Sequence, residues 1–131
     1  MTVRKYTELI AWRRAMDLVQ TVYEIVRELP AEERYGLGTQ MRKASVSVPT
    51  NIAEGQGRKT SPEFRRYLSI ALGSLTELET ELFLVSRLQL GPEMRVQSAL
   101  DLAAEVGRLT NGLYRSLPQR RTERRSLATD H

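Results

Sequence analysis

Seven apolar residues, Phe64, Leu68, Ala71, Leu75, Leu78, Leu82 and Val85, follow one another at spacings of 4, 3, 4, 3, 4 and 3. Such a seam stays on one side of an α-helix. On a strand it would scatter over both faces, because successive side chains point in opposite directions. The seam predicts a helix over about residues 62–90. Ser61-Pro62-Glu63 supplies its start: a hydroxyl to cap a free N–H, a proline suited to the first turn, and an acid at the positive end of the helix dipole. Gly91-Pro92 marks its stop.

Three more helices follow from the same test. One covers about residues 7–29 and carries two adjacent stripes. Leu9, Trp12, Met16, Val19, Tyr23 and Val26 form the first; Ala11, Ala15, Leu18, Val22, Ile25 and Leu29 form the second. Another covers about residues 92–117, with Ala99, Leu102, Val106, Leu109 and Leu113 beside Val96, Leu100 and Ala103. The remaining helix, about residues 31–54, has Leu37, Met41, Ala44, Val48 and Ile52 at helical spacing, but Pro49 falls inside it. The proline ring removes one hydrogen bond and crowds the carbonyl of Ser45, which predicts a kink. Long helices joined by short loops predict an all-α fold, an antiparallel up-down-up-down four-helix bundle over residues 1–117. Residues 118–131 form a basic tail whose charge and lack of apolar periodicity predict disorder. A bundle needs one buried stripe per helix, so the second stripes predict self-association.

The stretch NIAEGQGRKTSPEF, residues 51–64, resembles a phosphate loop at first sight. It fails the test residue by residue. A G-x-x-x-x-G-K-[ST] loop would need glycine at Ile52 and no residue between Gly57 and Lys59, where Arg58 stands; G-x-G-x-x-G would need glycine at Thr60. A turn between helices accounts for the same residues, with Gly55 left-handed at the end of one helix and Gly57 giving the loop freedom.

The chain has no cysteine and one histidine, His131. Disulfides, thiolate metal sites, cysteine nucleophiles and Ser-His-Asp triads therefore have no residues to use. Glu77 and Glu81 share a helix face, but without a histidine or a facing acid they read as solvated or inter-subunit groups rather than acid–base catalysts. The expectation is a non-enzymatic protein without metal or cofactor. No apolar run is long enough to span a bilayer and the first residues lack a leader's apolar stretch, which predicts a cytoplasmic protein.

Lysine and arginine total 20 against 16 acids, and only three of the 20 are lysine. Arginine binds phosphate and carboxylate through a planar fork. In an antiparallel bundle the start of the first helix, the loop between the second and third, and the end of the fourth meet at one end. That end collects Arg13 and Arg14; Arg58, Lys59, Arg65 and Arg66; and Arg115, with Arg120 and Arg121 following in the tail. Most acids fall in the middle or at the far end. These nine residues are the candidate nucleic-acid contacts, directed at the backbone and therefore low in sequence selectivity. The competing reading is a scaffold whose basic end docks an acidic partner protein.

Three blocks, LPAEERYGL, QMRKASVSVPTNIAEG and GSLTELET, lie within a stretch from Leu9 to Leu117 that resembles the bacterial four-helix-bundle proteins encoded in intervening sequences of large-subunit ribosomal RNA genes. AEVGRLTNGLY, residues 104–114, is similar to a more distant group, the accessory variability determinants of diversity-generating retroelements. The resemblance implies a homopentamer of bundles, no enzymatic activity, and RNA and a reverse transcriptase as partners. Within the shared blocks, Asn51 or Ser74 is expected to supply hydrogen bonds at the Pro49 gap. Glu54 is expected to pair with a nearby arginine such as Arg58, and Gly73 to admit a neighbouring helix closely. Trp12, set in an apolar stripe, reads as a core or interface anchor.

Overall fold

The computed structural model of the chain describes residues 5–118. They fold as a 3₁₀ turn, Tyr6–Glu8, followed by α1 (Ile10–Arg27), α2 (Ala31–Arg34), α3 (Leu37–Gln56), α4 (Ser61–Arg87) and α5 (Glu93–Ser116). The described residues contain no strand, so the architecture is all-α.

The seam that most constrains the sequence is buried throughout: Phe64, Leu68, Ala71, Leu75, Leu78, Leu82 and Val85 of α4 all lie in the core. Burying each large member contributes about 1.5–3 kcal/mol relative to exposure. On α1 the two stripes separate. Ala11, Ala15, Leu18, Val22, Ile25 and Leu29 are all buried, whereas of the other stripe only its ends, Leu9 and Val26, are buried, Met16 and Tyr23 being exposed and Trp12 and Val19 half-buried. On α5 the buried line is Val96, Ala99, Ala103, Val106 and Thr110, which mixes the two stripes read from the sequence.

Backbone proximity orders the helices. α3 packs on α1 and α4, and α5 packs on the same two. The end of α1 meets the start of α3: a Cβ on Gly38 would stand 2.9 Å from Val26 Cγ1. The end of α3 meets the start of α4: a Cβ on Gly55 would stand 2.8 Å from Phe64 Cδ1 and 2.9 Å from Tyr67 Cβ. Arg95, at the start of α5, reaches Glu28 at the end of α1 at 2.9 Å. Arg65, at the start of α4, donates to the carbonyl of Pro118 beyond α5 at 2.8 Å.

The helix expected over residues 31–54 is two. Gly36 takes ψ −96°, outside the helical region, and divides α2 from α3. α3 then runs through Pro49, whose ring is buried, and continues to Gln56. The cap of α4 is Thr60 rather than Ser61: its hydroxyl accepts from the Glu63 N–H at 3.3 Å, and Ser61 is the first helical residue. Gly55 is not left-handed; it lies within α3, and no described glycine has positive φ. What Gly55 provides is contact distance, since no Cβ fits against Phe64 and Tyr67. The left-handed residue is Gln89, with φ 55° after the end of α4. Leu90 N–H returns to Val85 O at 2.9 Å and Gln89 N–H to Ser86 O at 3.1 Å, a Schellman closure of the helix.

The polar residues near Pro49 act two positions away from the expected gap. Asn51 Nδ2 donates to Ser47 O at 2.8 Å and to Ser47 Oγ at 3.0 Å, and Ser47 Oγ lies 2.7 Å from Ser74 Oγ. They join α3 to α4 across Ser47 rather than satisfying the Ser45 carbonyl. A Cβ on Gly73 would have no neighbour within 4 Å, so this glycine does not serve a close approach within the chain.

Candidate nucleic-acid interface

The end where α3 gives way to α4 gathers most of the candidate cations. Tyr6 and Trp12, at the start of α1, line a depression with Ala53 and Glu54 at the end of α3. The Gly55 contact brings the start of α4 to the same place, and the Arg65 hydrogen bond brings the end of α5. Arg58, Lys59, Arg65, Arg66 and Arg115 therefore share one end of the described chain with Arg13.

How each cation is held differs. Arg14 is neutralised. Its guanidinium makes a bidentate contact to Glu105, Nε to Oε2 at 3.1 Å and Nη2 to Oε1 at 3.0 Å, and reaches Asp17 at 2.6 Å. The hydrogen bonds to Arg14 hold Glu105 below the usual carboxylate range, and those to Glu105 push Arg14 up. Arg14 belongs to the α1–α5 seam more than to an open cationic surface. Arg13 is exposed and donates to the Thr7 carbonyl at 2.8 Å, which ties the 3₁₀ turn to α1 and leaves the charge uncompensated.

The arginines of the α3–α4 turn and of α4 are held by rings and carbonyls. Arg58 donates to the Tyr67 hydroxyl at 2.7 Å and lies 4.6 Å from the ring centroid. Arg66 lies 5.5 Å from the same ring. Arg65 lies 5.9 Å from the Tyr114 ring while donating to Pro118 O. A ring orients a guanidinium without cancelling its charge. Arg58 does not pair with Glu54 as expected; Tyr67 takes its place. Lys59 and Arg115 are exposed. Arg120 and Arg121 lie outside the described residues, as does the tail expected to be disordered, apart from Pro118.

The far end has cations too, among them Arg27, Arg34, Arg87 and Arg95. Arg95 stands between Glu24 and Glu28, at 4.0 and 2.9 Å. Arg27, Arg34 and Arg87 have no ion-pair partner among the described residues, so what sets the α3–α4 end apart is not pairing but the gathering of Arg58, Arg65 and Arg66 on tyrosine rings. Tyr67 and Tyr114 are the residues that the sequence reading missed. The signal was a tyrosine one position after Arg66 and nine after Arg58, and it needed the packing of Gly55 to fix its side.

Of the paired acids of α4, Glu77 is exposed, and Glu81 departs from the solvated reading. Glu81 is 4% exposed, not solvated, and its Oε1 has no hydrogen-bond partner. Burial, then the charge of Glu77, then the hydrogen bond with Glu77 push its carboxyl up to about 7. Among the described residues no group of His, Cys, Asp or Glu is placed to hold a metal ion, and no helix is long and apolar enough to cross a membrane.

The model of the 23S rRNA-intervening sequence protein family matches residues 7–112. The chain belongs to that family. A solved structure of a Bacteroides thetaiotaomicron protein of unknown function, from the S23 ribosomal protein family, superimposes with a TM-score of 0.73 at 17% identity. The match covers 82% of this chain and all of that one, and at this identity it speaks for the fold. No curated protein matches the chain.

Proposed function

We propose that this member of the intervening-sequence family is a non-enzymatic, cytoplasmic homo-oligomer that binds RNA through the end where α3 meets α4. Its four long helices form an antiparallel bundle, bent at Pro49, and the oligomer is a homopentamer as in the resemblance drawn from its sequence. The protein serves as an accessory to RNA processing or to a retroelement reverse transcriptase. One observation carries the reading: Arg58, Arg65 and Arg66 are oriented by Tyr67 and Tyr114 and by carbonyls, with no carboxylate partner, so their charge is available to phosphates. Arg13, Lys59 and Arg115 extend the same surface, and Arg14 is a weaker contributor because Glu105 and Asp17 engage it.

The test is a titration with single-stranded RNA over a range of salt. Each phosphate contact adds about 0.7 to the slope of log affinity against log salt for single strands. Replacing Arg58, Lys59, Arg65 and Arg66 with glutamine is expected to flatten the slope by about 3, a figure that follows from four such contacts. An unchanged slope sinks the reading. Pull-down after nuclease treatment separates it from a scaffold that docks an acidic protein, because only the scaffold keeps its partner.

A further inference from the structure

The far end of the described chain holds a depression that the function proposed above does not use. Tyr23, Val26 and Arg27 at the end of α1, Arg34 and Tyr35 at the end of α2, and Arg42 of α3 enclose about 470 Å³. No acid lines it. Tyr23 and Arg42 also line a neighbouring depression of about 550 Å³, where Lys43 stands and again no acid does.

Local structure explains the grouping. α2 is a single turn, and Gly36, with ψ −96°, ends it and redirects the chain into α3. Arg34 and Tyr35 stand immediately before that change of direction. Arg34 Nε donates to the Leu29 carbonyl at 3.2 Å, which fixes the guanidinium and leaves both terminal nitrogens without a partner among the described residues. Arg42 Nη2 donates to Thr39 Oγ1 at 3.2 Å, and the rest of its fork is open. Arg27 is exposed. None of the three has a carboxylate partner among the described residues, although acids stand close by. Glu24 and Glu28 share α1 with Arg27, and both turn to Arg95 instead. Three like charges around one hollow repel one another, and the concave shape concentrates their field. An anion relieves that repulsion.

The rings select the kind of anion. Tyr35 is 85% exposed and Tyr23 37%. At the other end the faces of Tyr67 and Tyr114 are taken by arginines; among the described residues no ring or guanidinium stacks on Tyr23 or Tyr35. An open ring face accepts a planar base, and an arginine fork accepts a phosphate.

We propose that this depression binds a nucleotide, with its phosphate on Arg34 and Arg42, Arg27 adding charge at the rim, and its base stacked on Tyr35. The inference goes beyond the function proposed above and shares no residue with it. Arg42 stands about 21 Å along α3 from Gln56, where the other cationic end begins, at 1.5 Å per residue. A free nucleotide and a nucleotide within an RNA strand present the same chemistry to the depression.

The experiment is isothermal titration calorimetry of the full chain with AMP, adenosine, inorganic phosphate and a short single-stranded RNA, with circular dichroism to confirm helicity. AMP is expected to bind at least about tenfold more tightly than adenosine or phosphate, because only AMP engages both the ring and the fork. Tyr35→Ala is expected to weaken AMP about tenfold and Tyr35→Phe to keep it. The double variant Arg34→Gln, Arg42→Gln is expected to weaken it about tenfold as well. Tyr35 is outside the core, so its truncation leaves the helices packed. Replacing Arg58, Lys59, Arg65 and Arg66 is expected to leave AMP binding as it was. RNA that weakens with the Tyr35 and Arg34/Arg42 variants identifies a strand as the source; RNA that ignores them while AMP is lost identifies the free nucleotide. The proposal is overturned if neither AMP nor RNA loses affinity on Tyr35→Ala, if neither binds, or if phosphate binds as tightly as AMP. A polyglutamate peptide that depends on Arg34 and Arg42 and binds more tightly than the RNA also overturns it, since the hollow then serves an acidic protein. RNA binding that depends on Arg58, Lys59, Arg65 and Arg66 with no AMP binding removes this site and leaves the earlier reading standing. AMP binding that passes these tests, with an RNA salt slope indifferent to those four residues, does the reverse.

Discussion

Arg58 lies over the ring of Tyr67 and donates to its hydroxyl at 2.7 Å, while Arg66 approaches the same ring. One tyrosine thus fixes two cations without neutralising either. Tyr67→Ala should loosen both arginines and weaken RNA binding by about five- to thirtyfold at most, from the loss of two exposed cation–π contacts at about 0.5–1 kcal/mol each. Tyr67→Phe should keep most of the affinity. The salt slope should hardly change in either variant, because every positive charge remains. A filter-binding series across salt reads both quantities together.

Gly55 is the point where the end of α3 touches α4, and Tyr67 Cβ is one of the atoms in the way. That atom sits next to the backbone and cannot swing aside. Gly55→Ala should therefore push α3 from α4 and cost about 1–3 kcal/mol, as overpacking does. Thermal denaturation should show a fall of several degrees. Gly73→Ala, made where a Cβ meets nothing within 4 Å, is the control and should be neutral or slightly stabilising through helix propensity.

Glu81 makes stability depend on pH. Its carboxyl holds a proton up to about pH 7 in the folded chain, against an ordinary value of 4.5. Below pH 4.5 it is protonated folded or unfolded, and the favourable contribution is complete. Between pH 4.5 and 7 the unfolded chain has released the proton and the folded chain has not, so stability falls as pH rises and then levels off. The loss is on the order of 3 kcal/mol at most, since each tenfold difference in proton affinity between the folded and unfolded chain is worth about 1.4 kcal/mol. Glu81→Gln should therefore raise the melting temperature at pH 8 and leave it nearly unchanged at pH 4.5. Equal effects at both pH values would contradict the burial argument.

Gln89 occupies a left-handed conformation at φ 55°, which costs a side-chain-bearing residue about 1–2 kcal/mol relative to the ordinary helical region. Gln89→Gly should stabilise the chain by about 1 kcal/mol, because the Schellman closure needs only backbone groups. Urea denaturation should show a higher midpoint with an unchanged slope.

Parts of this molecule were legible in the sequence and others were not, for reasons that individual residues make plain. The α4 seam was readable because every member is apolar. The seam of α5 has the same 3-4-3-4 spacing, Val96, Ala99, Ala103, Val106, Thr110, but two members are alanine and the last is threonine. Larger residues beside it, Leu102, Leu109 and Leu113, drew the stripe one position away, and these are only half-buried. Small residues on the seam let α5 approach its neighbours, and approach distance has no signature in hydropathy. The division of α2 from α3 turned on one ψ angle at Gly36. Of the interface, the positions of Arg58, Lys59, Arg65 and Arg66 beside the α3–α4 turn were legible. Their partners were not, because a tyrosine and a glutamate are equally plausible neighbours until a backbone contact chooses between them.

Spacing and composition were enough to establish that this chain is helical, which residues line α4, where its long loops cannot be, and which chemistries lack a residue to perform them. Both are properties that act along the chain at short range. The packed molecule chose which of two α1 stripes is buried, that Arg14 is held by Glu105 while Arg58 is held by Tyr67, and that Glu81 loses its water. Those outcomes depend on distances of a few ångströms between residues far apart in sequence, and a one-dimensional pattern holds no record of such distances.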